Sequence, residues 1–373
     1  MVRRTQFLNP TMQEPSSLDS DTSTVNASLS LSRSGRIGEQ DKTFTEKDSA
    51  YGELALKQGM TAWALNGDQQ TGAVQPAIFL DWQSNTGVPL LQNIQRITAP
   101  NPSLMTGPGT NGYIVGTKET GFIVIDPGPL NPAHTQRILS ACAGDIRLIV
   151  CTHSHPDHSP GARPLQKACT TQSNFTPPVL GLSSLPTARA HSQFTPDREL
   201  IDSERLTLRT ETHGLEVTHT LRVVFTPGHA ANHVCLVLEE DGVLFSGDHI
   251  LNGSTTIVDP PDGHMGDYLS SLEKLEQICK DERVEFIMPA HGYVLGNFWG
   301  RPKSALEVVQ NLHNHRLTRE AKIYQTIQND LNGSMDDWVQ KAYDDVPSSI
   351  WPIAMRSLLA HVEHLKQSGR LNR

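Results

Sequence analysis

Long apolar runs are missing from this chain. Its 373 residues contain no stretch of 18 consecutive apolar residues, which excludes a membrane-spanning helix. Paired cysteines are missing as well. Cys142, Cys151, Cys169, Cys235 and Cys279 form no Cys-x-x-Cys spacing, and an odd, scattered set points to a reducing compartment rather than a disulfide scaffold. Cys151 and Cys235 lie inside apolar strand-like runs and are expected as buried thiols. Basic excess is also lacking. The formal charge is −9; residues 301–373 hold 10 Lys/Arg against 8 Asp/Glu, which leaves residues 1–300 at −11. That is a thin footprint for nucleic acid, because neutralising phosphates takes clustered Lys and Arg. No apolar segment follows Arg3 and Arg4, and Glu14, Asp19 and Asp21 do not suit a transit peptide. A cytoplasmic location is expected.

Residues 1–60 are rich in Ser, Thr, Asp and Glu with little periodic hydrophobicity, so this extension is expected to be disordered. From Trp63 the pattern changes. Ala77–Leu80 and Ile94–Ile97 read as short strands, and Tyr113–Gly116 and Phe122–Ile125 read as a hairpin. Asn131 is placed to cap a helix over 132–142, and a strand over 146–151 follows. A helix over about 160–168 is expected next, then strands at 179–181, 206–208, 221–225, 233–238, 243–246 and 286–288, with a helix over 265–280. Many short strands mixed with helices predict two layered sheets with helices outside. Beyond residue 300 the pattern is helical only. Ile323, Ile327 and Leu331 form one stripe, and Trp351, Met355, Leu358, Val362 and Leu365 a second, ended by Ser368-Gly369. Three helices and a Gly-containing turn suggest a small winged-helix module over 301–373, after a main domain over 61–300.

One loop concentrates the chemistry. After the apolar run Leu148–Cys151 come His153, His155, Asp157 and His158. Imidazoles and a carboxylate are the ligands that borderline-soft divalent ions accept, zinc above all. Pro156 fixes φ and removes a donor, which turns neighbouring residues to different sides. His153 and His155 then serve one ion, and Asp157 and His158 a second. Further ligand types stand at strand ends beside glycine: His229 in Thr226-Pro-Gly-His, Asp248 in Ser246-Gly-Asp, and His291 in Pro289-Ala-His-Gly. Glycine there lets the backbone bend closely round an ion.

These motifs, in this order over about residues 94–300, resemble the metallo-β-lactamase superfamily. The resemblance implies an αββα sandwich with two zinc ions per chain at one edge. It implies that His153, His155 and His229 hold the first, that Asp157, His158 and His291 hold the second, and that Asp248 bridges them. Gly109-Thr110-Asn111-Gly112-Tyr113 is similar to the opening strand of the lactamase-beta-like subgroup. The stretch His315–Glu320 and the tail from Asp345 are similar to its winged helix. That subgroup includes endoribonucleases and carrier-protein thioesterases.

A metallo-hydrolase follows, in which water ionised by the metals attacks an ester, thioester or phosphodiester while Asp157 orients it and takes its proton. Asp126 has two readings, an acceptor supporting the loop or a turn-forming Asp-Pro. His233 and His249 are candidates for supporting or substrate-facing roles, and His264 for a loop that reaches the pocket. His313, His315, His361 and His364 are expected as solvated or packing residues. The expected partner is a small acyl ester or thioester, or single-stranded RNA, with no membrane. The oligomeric state is open, a homodimer included. Alternatives are a single-strand endoribonuclease and a mononuclear-iron dioxygenase. Specificity is expected from residues 109–113, the 252–268 loop and the tail.

Overall fold

In the computed structural model, residues 82, 84–212, 214–296 and 304–371 are described. The 1–60 extension and the strand expected at 77–80 lie outside the described residues. The first sheet contains β1 (Val88–Leu91), β2 (Ile94–Thr98), β3 (Asn111–Thr117), β4 (Gly121–Ile125), β5 (Ile146–Val150), β6 (Val179–Gly181) and β7 (Arg198–Glu199), adjacent in that order. It is antiparallel through β4 and parallel from β4 to β7. The parallel crossovers carry α1 (Pro132–Ala141) and α2 (Ala162–Ser173). The second sheet holds β8 (Arg205–Thr212), β9 (Leu215–Phe225), β10 (Val234–Leu238), β11 (Val243–Gly247), β12 (Phe286–Pro289) and β13 (Leu295–Gly296), with neighbours again in sequence order. Only β11–β12 is parallel there, joined through α3 (Met265–Asp281).

The side-chain period of two explains why the central strands read as unbroken apolar runs. On β4, Ile123 and Ile125 enter the core between the sheets, whereas Phe122 and Val124 face α1 and α2. On β10, Leu236 and Leu238 enter the same core, whereas Cys235 and Val237 pack against α3 residues Tyr268, Leu272 and Leu275. Both faces of both sheets are thus covered, giving the αββα order. Each fully buried Ile or Leu contributes roughly 1.5–3 kcal/mol of transfer free energy.

Some elements differ in extent from the sequence pattern. Helix α2 runs on to Ser173, and β9 begins at Leu215, six residues before the apolar run that marks it. The strand at Phe286 is not the last, because β13 pairs with it. Asn131 caps α1 as expected, its side chain accepting the His134 N–H at 2.9 Å.

The 25-residue α4 (Ala305–Asn329) serves two cores. Ala305 and Val309 extend the layer outside the second sheet. Ile323 and Ile327 pack with Val339 of α5 (Met335–Ala342) and with Leu358, Val362 and Leu365 of α6 (Trp351–Gln367). Leu331, the last member of the predicted stripe, lies past the end of α4 and is exposed. These helices bury their own core and sit beside the edge where the strand ends gather.

Candidate metal centre

Each ligand-type side chain stands where a strand becomes a loop. The loop after β5 carries His153 to His158, the turn after β9 carries His229, β11 ends beside Asp248, and β12 ends just before His291. Glycine makes two of these turns possible. Gly228 has φ +136°, and a Cβ there would lie 2.3 Å from Tyr268 Cα. Gly247 has φ +49°, and a Cβ would lie 2.6 Å from His233 Nε2.

The structure brings all seven predicted residues into two groups, His153, His155, His229 and Asp248 in one, Asp157, His158 and His291 in the other. In the first, His155 Nδ1 lies 3.0 Å from His153 Nε2 and 2.9 Å from His229 Nε2. Both of those nitrogens are unprotonated and present lone pairs. Thr152 Oγ1 gives its proton to Asp126 Oδ2 at 2.8 Å, so it accepts from His153 Nδ1 at 3.0 Å. His229 Nδ1 donates to the Ile257 carbonyl at 2.7 Å. One proton on His155 Nδ1 meets only one of the two lone pairs. A cation meets all three nitrogens: tetrahedral zinc with bonds of about 2.0–2.1 Å puts neighbouring ligand nitrogens about 3.3 Å apart. Burial and the neighbouring imidazoles hold His153 well below the usual histidine range. Burial and His229 take His155 down to about 3. Both are therefore neutral at pH 7, the form in which an imidazole can bind a cation.

The second group is richer in carboxylate. His158 Nε2 lies 3.3 Å from Asp157 Oδ2 and 3.4 Å from Asp248 Oδ1, and His291 Nε2 lies 3.2 and 3.3 Å from the same two oxygens. Asp248 Oδ2 turns to His229 Nε2 at 3.4 Å, so one carboxylate faces both groups. The far nitrogens are again fixed, His158 Nδ1 on Asp126 Oδ2 at 2.9 Å and His291 Nδ1 on the Gly109 carbonyl at 3.2 Å. Burial alone would lower His158 and His291. The Asp157 and Asp248 carboxylates outweigh it, raising His158 well above the ordinary value and His291 to about 10. The carboxylates themselves are held well below the usual range. This group calls for positive charge. His158 Nε2 and Asp248 Oδ1 are also buried atoms whose only partners are these opposed charges at 3.3–3.4 Å, none of them in hydrogen-bond geometry. Converging lone pairs and orphaned atoms together fit a pair of divalent cations.

Supporting residues were partly legible in the sequence. Asp126, at φ +49°, takes the Thr152 N–H at 2.7 Å and hydroxyl at 2.8 Å as well as His158 Nδ1, so it supports the loop. His233 is buried and supports rather than meets substrate. Its Nε2 accepts the Asp248 N–H at 3.1 Å, and its Nδ1 then donates to Thr226 Oγ1 at 2.9 Å. His249 packs against the Tyr268 ring with centroids 4.4 Å apart, and burial takes it down to about 3. His264 does not reach the pocket; its Nδ1 caps α3 by accepting the Asp267 N–H at 3.2 Å. The 109–113 strand also departs from the expectation of a specificity element. Gly109 orients His291 through its carbonyl, and Thr110 Oγ1 donates to Asp157 Oδ2 at 3.0 Å. Asn111 Nδ2 donates to the Pro289 and Gly292 carbonyls at 3.0 and 2.9 Å, and Tyr113 donates to Pro289 at 2.7 Å. The strand is a clamp for the His291 loop. Sequence reasoning missed Thr110, Thr152 and Thr226; the only signal was a hydroxyl residue beside each motif.

A cavity of about 710 Å³ opens onto His155, Asp157, His229, Asp248 and His291. Leu104, Met105, Leu251 and Ile257 line it from the sandwich, and Val346, Ile350 and Ile353 from the helical module. His315, expected as a solvated or packing residue, also lines it.

Comparison with known proteins agrees with this geometry. Residues 105–291 match the family model described as the Metallo-beta-lactamase superfamily, and residues 334–373 match the Beta-lactamase associated winged helix domain. The chain is 31% identical to the Beta-lactamase-like protein 2 homolog of Drosophila melanogaster, over 76% of this chain and 90% of that one. It is 28% identical to an Atrochrysone carboxyl ACP thioesterase of Aspergillus chevalieri, over 74% of this chain and 83% of that one. Among solved structures, a Beta-lactamase domain protein from Burkholderia ambifaria superposes with a TM-score of 0.57 at 20% identity, covering 74% of this chain and 88% of that one, which shows a shared fold.

Proposed function

The chain belongs to the metallo-beta-lactamase superfamily and is a hydrolase, and from that premise we propose that it is a dizinc enzyme cleaving an acyl thioester or a similar small acyl ester. His153, His155 and His229 would hold one ion, and Asp157, His158 and His291 the other, with Asp248 shared between them. Zinc bound there supplies Lewis acidity and a water ionised near neutral pH.

The protein's own part is orientation and proton handling. Thr110 fixes the Asp157 carboxylate through Oδ2, which leaves Oδ1 to orient the attacking water and take up its proton. A carbon–oxygen bond forms at the acyl carbon, the carbon–sulfur bond breaks, and the proton goes on to the leaving thiolate. The apolar cavity walls exclude competing water and hold the acyl group.

The observation that carries this reading is the cavity, which joins the metal-ligand groups to apolar side chains of the C-terminal helices. The thioesterase name of the Aspergillus relative points to the same substrate class. The ribonuclease reading draws less support. Arg189 and Arg356, both on the cavity wall, share Asp259, and Arg319 is bound by Asp345, which leaves Arg316, itself buried against the Thr256 carbonyl, as the cavity arginine with no carboxylate partner among the described residues. We also propose that residues 61–300 form the hydrolase domain and that 301–373 roof its cavity. No helix among the described residues is long and apolar enough to cross a membrane. All five cysteines are free and buried, in keeping with the cytoplasmic location we propose.

A parallel screen of the zinc-loaded protein against acyl thioesters of graded length, lactones, β-lactams and single-stranded RNA, with a chelated control, tests the substrate. Chelator-sensitive turnover of thioesters or simple esters is expected. RNA cleavage with no acyl turnover would sink the reading.

A further inference from the structure

The stretch His315–Glu320 takes no part in the reaction described above, yet Arg316, Arg319 and Glu320 are all buried on α4. Two of them serve the helical module itself. Arg319 binds Asp345 through Nη1 at 2.7 Å and Nη2 at 2.6 Å, and Glu320 meets His361, His364 and Arg370 of α6 and the turn after it. Arg316 turns toward the sandwich. Its Nη2 donates to the backbone carbonyl of Thr256, and its guanidinium lies 4.9 Å from the centroid of the Tyr268 ring.

Both contacts bear on segment 248–257. The Thr256 hydroxyl donates to the carbonyl of Asp248 at 2.7 Å, and the Tyr268 hydroxyl donates to that of His249 at 2.7 Å. The next carbonyl along, Ile257, fixes His229 Nδ1. At 3% exposure, Arg316 makes its bond away from water, where no solvent molecule replaces it.

We propose that Arg316 is a positioning residue of the metal centre. By gripping the Thr256 carbonyl it fixes the peptide next to the one that aims His229, and with it the loop that carries Asp248. The helical module thereby sets how tightly the first group holds its ion. This rests on the ligand assignment proposed above. Loss of a group that orients a metal ligand costs about 10–100-fold in metal affinity, and Arg316 acts one residue further out, so the lower end applies.

The test is the rate at which a chelating dye strips zinc from the full-length, zinc-loaded protein, with the melting temperature of each metal-free variant measured alongside. Arg316→Met, which keeps the stem and loses the donors, should release zinc about ten-fold faster. Arg316→Lys should fall between it and the parent, because an ammonium reaches the carbonyl but lacks the flat face over Tyr268. Thr256→Val, which removes the hydroxyl bond to Asp248, should move in the same direction and provides the readout if Arg316→Met does not fold. Arg319→Met, which breaks an ion pair within the module, should release zinc at the parent rate. Parent-like release from both Arg316→Met and Thr256→Val overturns the coupling alone. A parent protein that takes up no zinc overturns the ligand assignment with it.

Discussion

Around Asp248 three imidazole nitrogens, of His153, His155 and His229, face one another and two more face a pair of carboxylates, whereas around Glu320 the imidazoles face a single carboxylate. The two clusters use the same residue types, and each has a pair of histidines three apart, His155 and His158 in one, His361 and His364 in the other. At Glu320, Oε2 accepts from His361 Nδ1 at 3.2 Å and from His364 Nδ1 at 2.7 Å, and Oε1 accepts from Arg370 at 2.7 Å. Each carboxylate oxygen there already has a donor. At Asp248 the outward nitrogens donate to Thr152, Asp126, Gly109 and Ile257, which leaves the inward nitrogens and the carboxylate oxygens to converge. Histidine and carboxylate in proximity therefore do not define a metal site. What defines one is the outer ring of acceptors, which decides which nitrogen keeps its proton. The loop cluster is built to receive cations, whereas in the helical one both oxygens of the single carboxylate are already taken by protein donors.

Substitutions on the two sides should separate these roles. The largest effect belongs to His155→Ala. Turnover should fall at least about a thousand-fold while the metal-free protein still melts cooperatively, since the lost side chain supports an ion rather than the core. Parent-rate hydrolysis would remove His155 from the site. Asp126→Asn should come next. It replaces an oxygen that accepts from both Thr152 and His158 by a donor, and zinc affinity should drop about 10–100-fold by competition titration.

Glu320→Ala should leave the zinc stoichiometry intact and act on stability instead. Removing one partner of a buried, charged network costs about 3–5 kcal/mol, read as a lower denaturation midpoint. The pH dependence has a definite sign. Burial would raise Glu320, but the hydrogen bonds from His361 and His364 outweigh it and bring it from 4.5 down to about 2. A depressed carboxylate contributes stability that is fully present above 4.5 and is lost as pH falls toward 2. Between those values the parent should lose more stability than Glu320→Ala does. Equal slopes in that window would mean that Glu320 carries no such link.

The same contrast shows what a sequence displays. The candidate ligand positions stand out because they follow apolar strands and five of the seven, His155, Asp157, His229, Asp248 and His291, sit beside Gly or Pro, both local signals. The first half of β9 shows no such signal: Glu216, Thr218 and Thr220 interrupt its apolar residues, and its pairing with β8 is set by tertiary contact. His264 and His233 look alike in sequence, each beside a motif. One caps a helix and the other holds the Asp248 N–H, a difference fixed by distant segments. The hydroxyls of Thr110 and Thr152 and the reach of Arg316 are hidden for the same reason. A side chain's partner 26 to 60 residues away is set by the fold, not by local pattern.

The central claim is that the two groups around Asp248 hold two zinc ions. Elemental analysis of the full-length protein, purified without added metal, tests it most directly. The account predicts about two zinc per chain, falling sharply in His155→Ala and unchanged in Glu320→Ala. One iron per chain would contradict it and favour the mononuclear dioxygenase reading.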